Sequence, residues 1–188
     1  MTKYEIGSIH NTKNGKIKIL DYTPGRRENG RKIHPRATIV FLNTGCVRNV
    51  QTTNISKGKI EDFRRKTVYN VGYLGSDIKI PARGTLIRRI YDLWANMLKR
   101  CYGNYRGKYT GCSVDKRWHS FTNFLNTIQN VEGYLYWEQN PKQHISLDKD
   151  IKKPGNKVYS MENCMFVSNS ENIRDAALRR WGRRSESA

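Results

Sequence analysis

The chain contains few acidic residues and no cysteine pair of the kind that holds zinc. Its 188 residues include 16 Asp and Glu side chains against 35 Lys and Arg. The four cysteines stand far apart without a CxxC motif: Cys46, Cys101, Cys112 and Cys164. A zinc site would therefore need ligands brought together from across the fold. Apolar residues near these cysteines predict buried thiols in a reducing cytoplasm.

Long apolar segments are also missing. No stretch approaches the roughly 18 apolar residues of a transmembrane helix. The first ten residues, MTKYEIGSIH, lack the apolar region of a signal peptide. The sequence therefore predicts a cytoplasmic protein without a membrane partner.

Positive charge is abundant and evenly distributed. The formal net charge is +19; residues 1–80 carry 16 cationic and 6 acidic side chains, and residues 81–188 carry 19 and 10. Neutralising phosphates releases counterions, so nucleic acid is the first candidate partner, with DNA favoured and RNA an alternative. An acidic protein surface could use the same charge.

Residues 1–75 have the pattern of a small basic β domain. Short runs rich in β-branched and aromatic residues occupy 16–22, 37–42, 46–50 and 68–74, separated by turn signals such as Asn14-Gly15 and Asn29-Gly30. Many short strands in few residues predict a barrel-like domain of SH3 or OB type. Residues 76–84, with Pro81 and Gly84, are predicted to be the linker.

Two loops combine features of nucleic-acid contacts. Residues 23–35 are predicted to form an exposed basic loop, and residues 103–111 a loop in which aromatic residues alternate with basic ones. Basic side chains bind phosphates and aromatic rings stack on bases. The predicted contacts in these loops are Arg26, Arg27, Arg31, Lys32, Tyr105, Arg106, Lys108 and Tyr109.

Residues 85–188 are predicted to form a helical segment followed by a ββα unit, which makes the whole chain α+β. Apolar residues at three- and four-residue steps predict a helix at 85–101 that packs on a core. Ser120 can cap a second helix at 121–130, and residues 131–141 are expected to be a loop. Strands are predicted at 144–151 and 164–167, and a Ser168–Glu171 capping box begins a helix that runs to about residue 180.

These residues resemble the HNH/ββα-metal nuclease-like proteins of bacteriophages. The resemblance rests on Leu147-Asp148-Lys149, Gly155-Asn156, the run YSMENC at 159–164 and Glu171-Asn172. The upstream elements LWANMLKRCYG, CSVDKRW and SFTNFL are also similar to those of the phage proteins, and the N-terminal half resembles an accessory domain attached to them. The resemblance covers most of the chain.

The resemblance implies a phage-type nucleic-acid-binding protein of the host cytoplasm, with the activity of a Mg²⁺-dependent DNA endonuclease of homing type. Asp148 and Asn172 fall at the metal positions, and their hard oxygen ligands suit Mg²⁺ or Mn²⁺. Asn163 falls at the loop position that orients the base. Lys149 occupies the position of the catalytic histidine, and His144 is a substitute candidate five residues earlier.

Other interpretations remain open. Lys149 could contact phosphate in a non-catalytic DNA- or RNA-binding protein, together with the turn lysines Lys152, Lys153 and Lys157. The chain could instead be a phage factor that binds an acidic host protein. Residues 148–150 could also be an ion-paired strand face, with Asn163 stabilising the loop.

Overall fold

The chain forms two compact units in a computed structural model that describes residues 4–104, 107 and 109–185. The first unit is Met1–Arg65 and the second is Lys66–Ala188. The described residues form ten strands and five α-helices, which confirms the α+β class. None of these helices has both the length and the apolar composition needed to span a membrane.

The strands are β1 (Ile9–Thr12), β2 (Gly15–Thr23), β3 (Arg26–Glu28), β4 (Arg31–Ile33), β5 (Arg36–Phe41), β6 (Val47–Gln51), β7 (Ser113–Val114), β8 (Ile145–Asp148), β9 (Val158–Tyr159) and β10 (Met165–Ser168). The helices are α1 (Thr52–Ser56), α2 (Leu86–Tyr102), α3 (Phe121–Thr127), α4 (Tyr134–Gln139) and α5 (Asn169–Ser185).

The first unit is an antiparallel four-stranded sheet with one buried face. Its strand order is β1-β2-β5-β6. Alternate residues of β2 and β5 point inward, so Ile17, Ile19, Ile39 and Phe41 are all fully buried. Ile55 of α1 joins this core. The β-branched and aromatic residues of the runs that predicted β2 and β5 therefore also supply the core.

The sheet is open, which corrects the predicted barrel-like domain. Within the described residues β1 and β6 are edge strands and do not pair with each other. The run 68–74, predicted as a strand, is a turn in which Tyr69 and Asn70 have positive φ angles of 51° and 58°. Such angles break a strand, and this run belongs to the second unit rather than to the predicted β domain of residues 1–75.

The predicted loop at 23–35 is a β-hairpin. β3 and β4 pair antiparallel, with Arg26 opposite Ile33, Arg27 opposite Lys32 and Glu28 opposite Arg31. Every residue of both strands is exposed. We call residues 26–33 the basic ribbon.

The second unit has a helical core. Trp94 and Leu98 of α2 are fully buried, and Phe121 and Phe124 of α3 pack in the same cluster. The Trp94 indole nitrogen donates to the main-chain oxygen of Trp118 at 2.7 Å. Helix α2 confirms the periodicity-based prediction, and α3 is capped by Ser120, whose Oγ accepts from the Asn123 N–H.

Two segments of this unit differ from expectation. Residues 131–141 are not all loop, because α4 begins after Gly133, which has a φ of 80°. Its Tyr134 and Trp137 are buried beside Phe166 of β10, and this packing stabilises so short a helix. The suggested linker also belongs to this unit: Ile78 and Ile80 pack partly buried against its core.

Candidate functional site

The C-terminal part of the second unit is a ββα arrangement. β8 pairs antiparallel with β10, so Asp148 lies opposite Met165 and Ile145 opposite Ser168. Helix α5 follows β10 directly. The predicted capping box is present, since Ser168 Oγ accepts from the Glu171 N–H at 3.2 Å and Glu171 Oε2 accepts from the Ser168 N–H at 2.8 Å. This reciprocal cap fixes the point at which strand becomes helix.

Asp148 ends β8 and holds the turn that follows it. Its Oδ1 accepts hydrogen bonds from the main-chain N–H groups of Asp150 at 2.8 Å and Ile151 at 2.9 Å. Burial raises the pKa of this carboxyl, the two N–H donors oppose the rise, and the neighbouring Asp150 carboxyl adds to it. The side chain at the predicted metal position is therefore also a structural acceptor for the turn.

Lys149 is buried within the unit. Its side chain is only 8% exposed, and Nζ lies 3.2 Å from Asp150 Oδ2. Nζ is also 5.7 Å from the ring centroid of Tyr159. A buried ammonium group needs a carboxylate partner, and Asp150 supplies one. This geometry directs Lys149 into the protein rather than toward a ligand on its surface.

Two asparagines fasten the loop between the strands. Asn156 Nδ2 donates to the main-chain oxygens of Lys149 at 2.7 Å and Val158 at 2.8 Å. Asn163 Nδ2 donates to Asn156 Oδ1 at 3.3 Å and to the Val158 oxygen at 3.4 Å. The predicted site residue Asn163 thus contacts the loop, and Asn156 is the more central of the two. In the sequence, Asn156 stands out only through the Gly155-Asn156 pair of the phage resemblance, and it is not among the predicted site residues.

The remaining predicted site residues lie elsewhere in the unit. His144 is exposed and precedes β8, and its main-chain oxygen accepts from the Asn169 N–H at 3.0 Å. Because His144 and Lys149 flank opposite ends of β8, five residues of extended chain, about 16 Å, separate them. Asn172 is half-buried in the first turn of α5, which contacts both β8 and β10.

Few side chains near Asp148 could bind a metal ion. Among the described residues, no group of three or more His, Cys, Asp or Glu side chains is arranged to hold a metal ion. The adjacent carboxyls of Asp148 and Asp150 are nevertheless hard oxygen donors, and Mg²⁺ commonly binds one or two carboxylates and completes its shell with water and phosphate. The residues present fit such an ion chemically, with the Lys149 ammonium competing for Asp150.

All of the predicted nucleic-acid contacts among the described residues are exposed except Tyr109. Arg26, Arg27, Arg31 and Lys32 are exposed on the basic ribbon, and Lys153 and Lys157 are exposed on the loop after β8. Lys152 forms an ion pair with Glu132 at 3.1 Å. Tyr109 is half-buried, with the Arg100 guanidinium carbon 5.8 Å from its ring centroid. The other three predicted contacts, Tyr105, Arg106 and Lys108, lie outside the described residues.

Comparisons with protein-family models, curated proteins and solved structures find no match to this chain.

Proposed function

We propose that this chain binds nucleic acid through its phosphates and that the ββα unit is a rigid scaffold for basic side chains. The observation that carries this proposal is the burial of Lys149 against Asp150. In the related nuclease arrangement this position supplies the base that activates water. A lysine amine covered by protein and held by a carboxylate is poorly placed to reach a water molecule beside a bound phosphate.

The charge of the chain supports a polyanionic partner. Cationic side chains outnumber carboxylates by 19, so many cations have no carboxylate of their own. Unscreened charge of one sign destabilises a compact fold, and phosphates relieve this repulsion. Counterion release then provides binding free energy that falls with salt concentration.

The loop after β8 is held in place by side-chain hydrogen bonds and carries exposed lysines. Asp148, Asn156 and Asn163 direct their side chains to atoms of the loop itself. Lys153 and Lys157 are exposed on the same loop. Fixing the backbone in advance reduces the conformational entropy that these lysines lose when they contact phosphate.

Fluorescence anisotropy with labelled duplex DNA over a series of salt concentrations tests this function. We expect the logarithm of the binding constant to fall linearly with the logarithm of salt concentration, and Lys153→Gln/Lys157→Gln to reduce the slope by about two. Lys142→Gln, which removes an exposed lysine outside this loop, is the control and should have a smaller effect. A binding constant independent of salt would overturn the proposal.

A second candidate is the Mg²⁺-dependent endonuclease implied by the phage resemblance. It is favoured by the ββα order and by the adjacent carboxyls of Asp148 and Asp150. If an ion bound there, it would polarise the phosphate, and the chain would contribute Asp148 and Asn172 as ligands.

The two candidates differ in a plasmid assay. Supercoiled plasmid is incubated with the wild type and with Asp148→Asn in Mg²⁺ or Mn²⁺. The asparagine keeps an oxygen for the two loop N–H groups but loses the carboxylate charge. Nicking by the wild type that is lost in the variant would establish the endonuclease; intact plasmid with both proteins, together with salt-dependent binding, supports the scaffold.

A further inference from the structure

The basic ribbon continues the main sheet in the same register. Thr23 lies opposite Arg36 at the end of the β2–β5 ladder, and Arg26 lies opposite Ile33 after a two-residue break in each strand. Each break contains a proline, Pro24 in one strand and Pro35 in the other. Proline has no N–H for the ladder, so hydrogen bonding stops there while the alternation of side chains is preserved.

Both ends of the ribbon are conformationally defined. At its base, a Cβ on Gly25 would come within 2.9 Å of the Ile33 oxygen and of Pro35 Cδ, so the strands approach closely. At its tip, Asn29 and Gly30 have φ angles of 50° and 76°. Two successive positive φ angles are typical of the type I′ turn, whose twist matches that of paired strands. The ribbon is therefore a defined two-stranded element.

The two faces of the ribbon carry different charge. Residues opposite each other share a face, which places Arg27 and Lys32 together on one side. The other side has Arg26, Glu28, Arg31 and the apolar Ile33. Glu28 forms an ion pair with Arg26 at 3.2 Å. The Arg27–Lys32 face is therefore purely cationic, whereas the opposite face is partly neutralised.

We infer that the basic ribbon enters the major groove of B-form duplex DNA with its Arg27–Lys32 face toward the DNA. This inference rests on the proposed nucleic-acid binding and adds the form of the nucleic acid and the groove. The DNA major groove, about 12 Å wide, admits a two-stranded β-ribbon, whereas the minor groove is only about 6 Å wide. The major groove of duplex RNA is deep and narrow, so RNA does not offer the same opening.

The reach of the ribbon agrees with this geometry. From the end of the main ladder at Thr23 to the tip at Asn29 there are six residues, which span about 20 Å when extended. The groove is about 8.5 Å deep. The ribbon extends far enough from the sheet for its Arg27–Lys32 face to lie along the groove while the open sheet remains outside the duplex.

The test compares two double variants that remove equal charge from opposite faces, Arg27→Gln/Lys32→Gln and Arg26→Gln/Arg31→Gln. Binding to duplex DNA, duplex RNA of the same sequence and the single strand is measured by anisotropy at fixed salt. We expect the first variant to weaken duplex DNA binding by about tenfold or more and the second by clearly less. The wild type should prefer duplex DNA to duplex RNA.

Groove occupancy is tested with the wild type and two altered duplexes. Bulky substituents at C5 of the pyrimidines fill the major groove and should weaken binding, whereas a ligand in the minor groove should not. Unchanged circular dichroism and melting temperature check that the variants fold.

The outcomes separate the two proposals. Equal losses from both double variants, equal binding to duplex RNA, or indifference to the C5 substituents would overturn the ribbon inference. If salt-dependent binding persists in those cases, nucleic-acid binding still stands. Absence of binding to every nucleic acid would remove the proposed function itself.

Discussion

The side-chain amide of Asn156 donates to the main-chain oxygen of Lys149 at 2.7 Å and closes the loop that follows β8. The same amide group donates to the Val158 oxygen at 2.8 Å, and Asn156 Oδ1 accepts from the Val158 N–H at 3.2 Å. One half-buried side chain thus satisfies main-chain groups at both ends of the loop. The Asn156 side chain thus links the main chain at Lys149 to the main chain at Val158.

Asn156→Ala should lower the free energy of unfolding by about 2–3 kcal/mol, because the Lys149 oxygen and the Val158 N–H lose this partner and the Val158 oxygen keeps only the longer bond from Asn163. Asn163→Ala, whose hydrogen bonds of 3.3 and 3.4 Å are longer, should cost less. Urea denaturation of both variants and the wild type provides the comparison. If Asn163→Ala is the more destabilising change, Asn156 does not contribute more than Asn163 to the stability of the loop.

Gly133→Ala should destabilise the protein more than Gly155→Ala. Both glycines have nearly the same left-handed conformation, with φ of +80° and +79°, so both variants pay a similar strain of about 1 kcal/mol. A Cβ on Gly133 would also lie 2.7 Å from the main-chain oxygen of Phe166, whereas nothing lies within 4 Å of one on Gly155. Thermal unfolding of the two variants measures the difference, and equal melting temperatures would contradict the close approach of α4 to β10.

The free energy of unfolding of Asp148→Asn should increase relative to that of the wild type as pH rises. Burial raises the pKa of Asp148 above 3.8 in the folded protein. The neutral carboxyl therefore contributes stability that is fully present below the pKa of the unfolded state and is lost as pH rises through the pKa of the folded state. Asparagine is neutral throughout and avoids this loss. Denaturation at about pH 3 and about pH 7 should show a larger advantage at pH 7. Asp21→Asn, at an exposed position, is the control, and an advantage that shrinks with pH would reverse the assigned sign.

Cys164 should resist alkylation in the native protein. Burial raises the pKa of its thiol from 9.0 to about 12, which lowers the thiolate fraction about a thousandfold at mildly alkaline pH. Treatment with iodoacetamide, followed by peptide mass spectrometry, should detect modified Cys164 only after unfolding in urea. Labelling at comparable rates in the native and unfolded states would show that this thiol is accessible.

Features that depend on nearby residues were predictable from the sequence. The capping box needs only Ser168 and Glu171, three positions apart, and the apolar spacing of 85–101 sufficed to predict α2. The ββα order followed from the two apolar strands and this cap. Local pattern therefore predicted α2, the start of α3 and the order of β8, β10 and α5, although the strand predicted at 144–151 ends at Asp148 and the helix predicted at 121–130 ends at Thr127.

Features that depend on distant partners were not predictable. Arginine and lysine have little strand preference, so the basic ribbon follows from its register with the main sheet rather than from its composition. Helix α4 depends on packing against Phe166, far along the chain. The burial of Lys149 depends on Tyr159, ten residues later, and its ion pair with Asp150 could equally have been a solvated contact.

The short parallel pair of β7 and β9 also sets an order of events during synthesis. Ser113 and Asp115 donate to the main-chain oxygens of Lys157 and Tyr159 at 2.9 Å, so β7 obtains these partners only after more than forty further residues have been made. Contacts between such distant residues form late and slow folding, because the intervening chain must be closed into a loop first. The nascent second unit therefore stays incomplete until at least residue 168 has left the ribosome, because the core residues Cys164 and Phe166 and strand β10 are made after β9. Until then, the apolar residues of α2 and α3 lack part of the core cluster in which they pack.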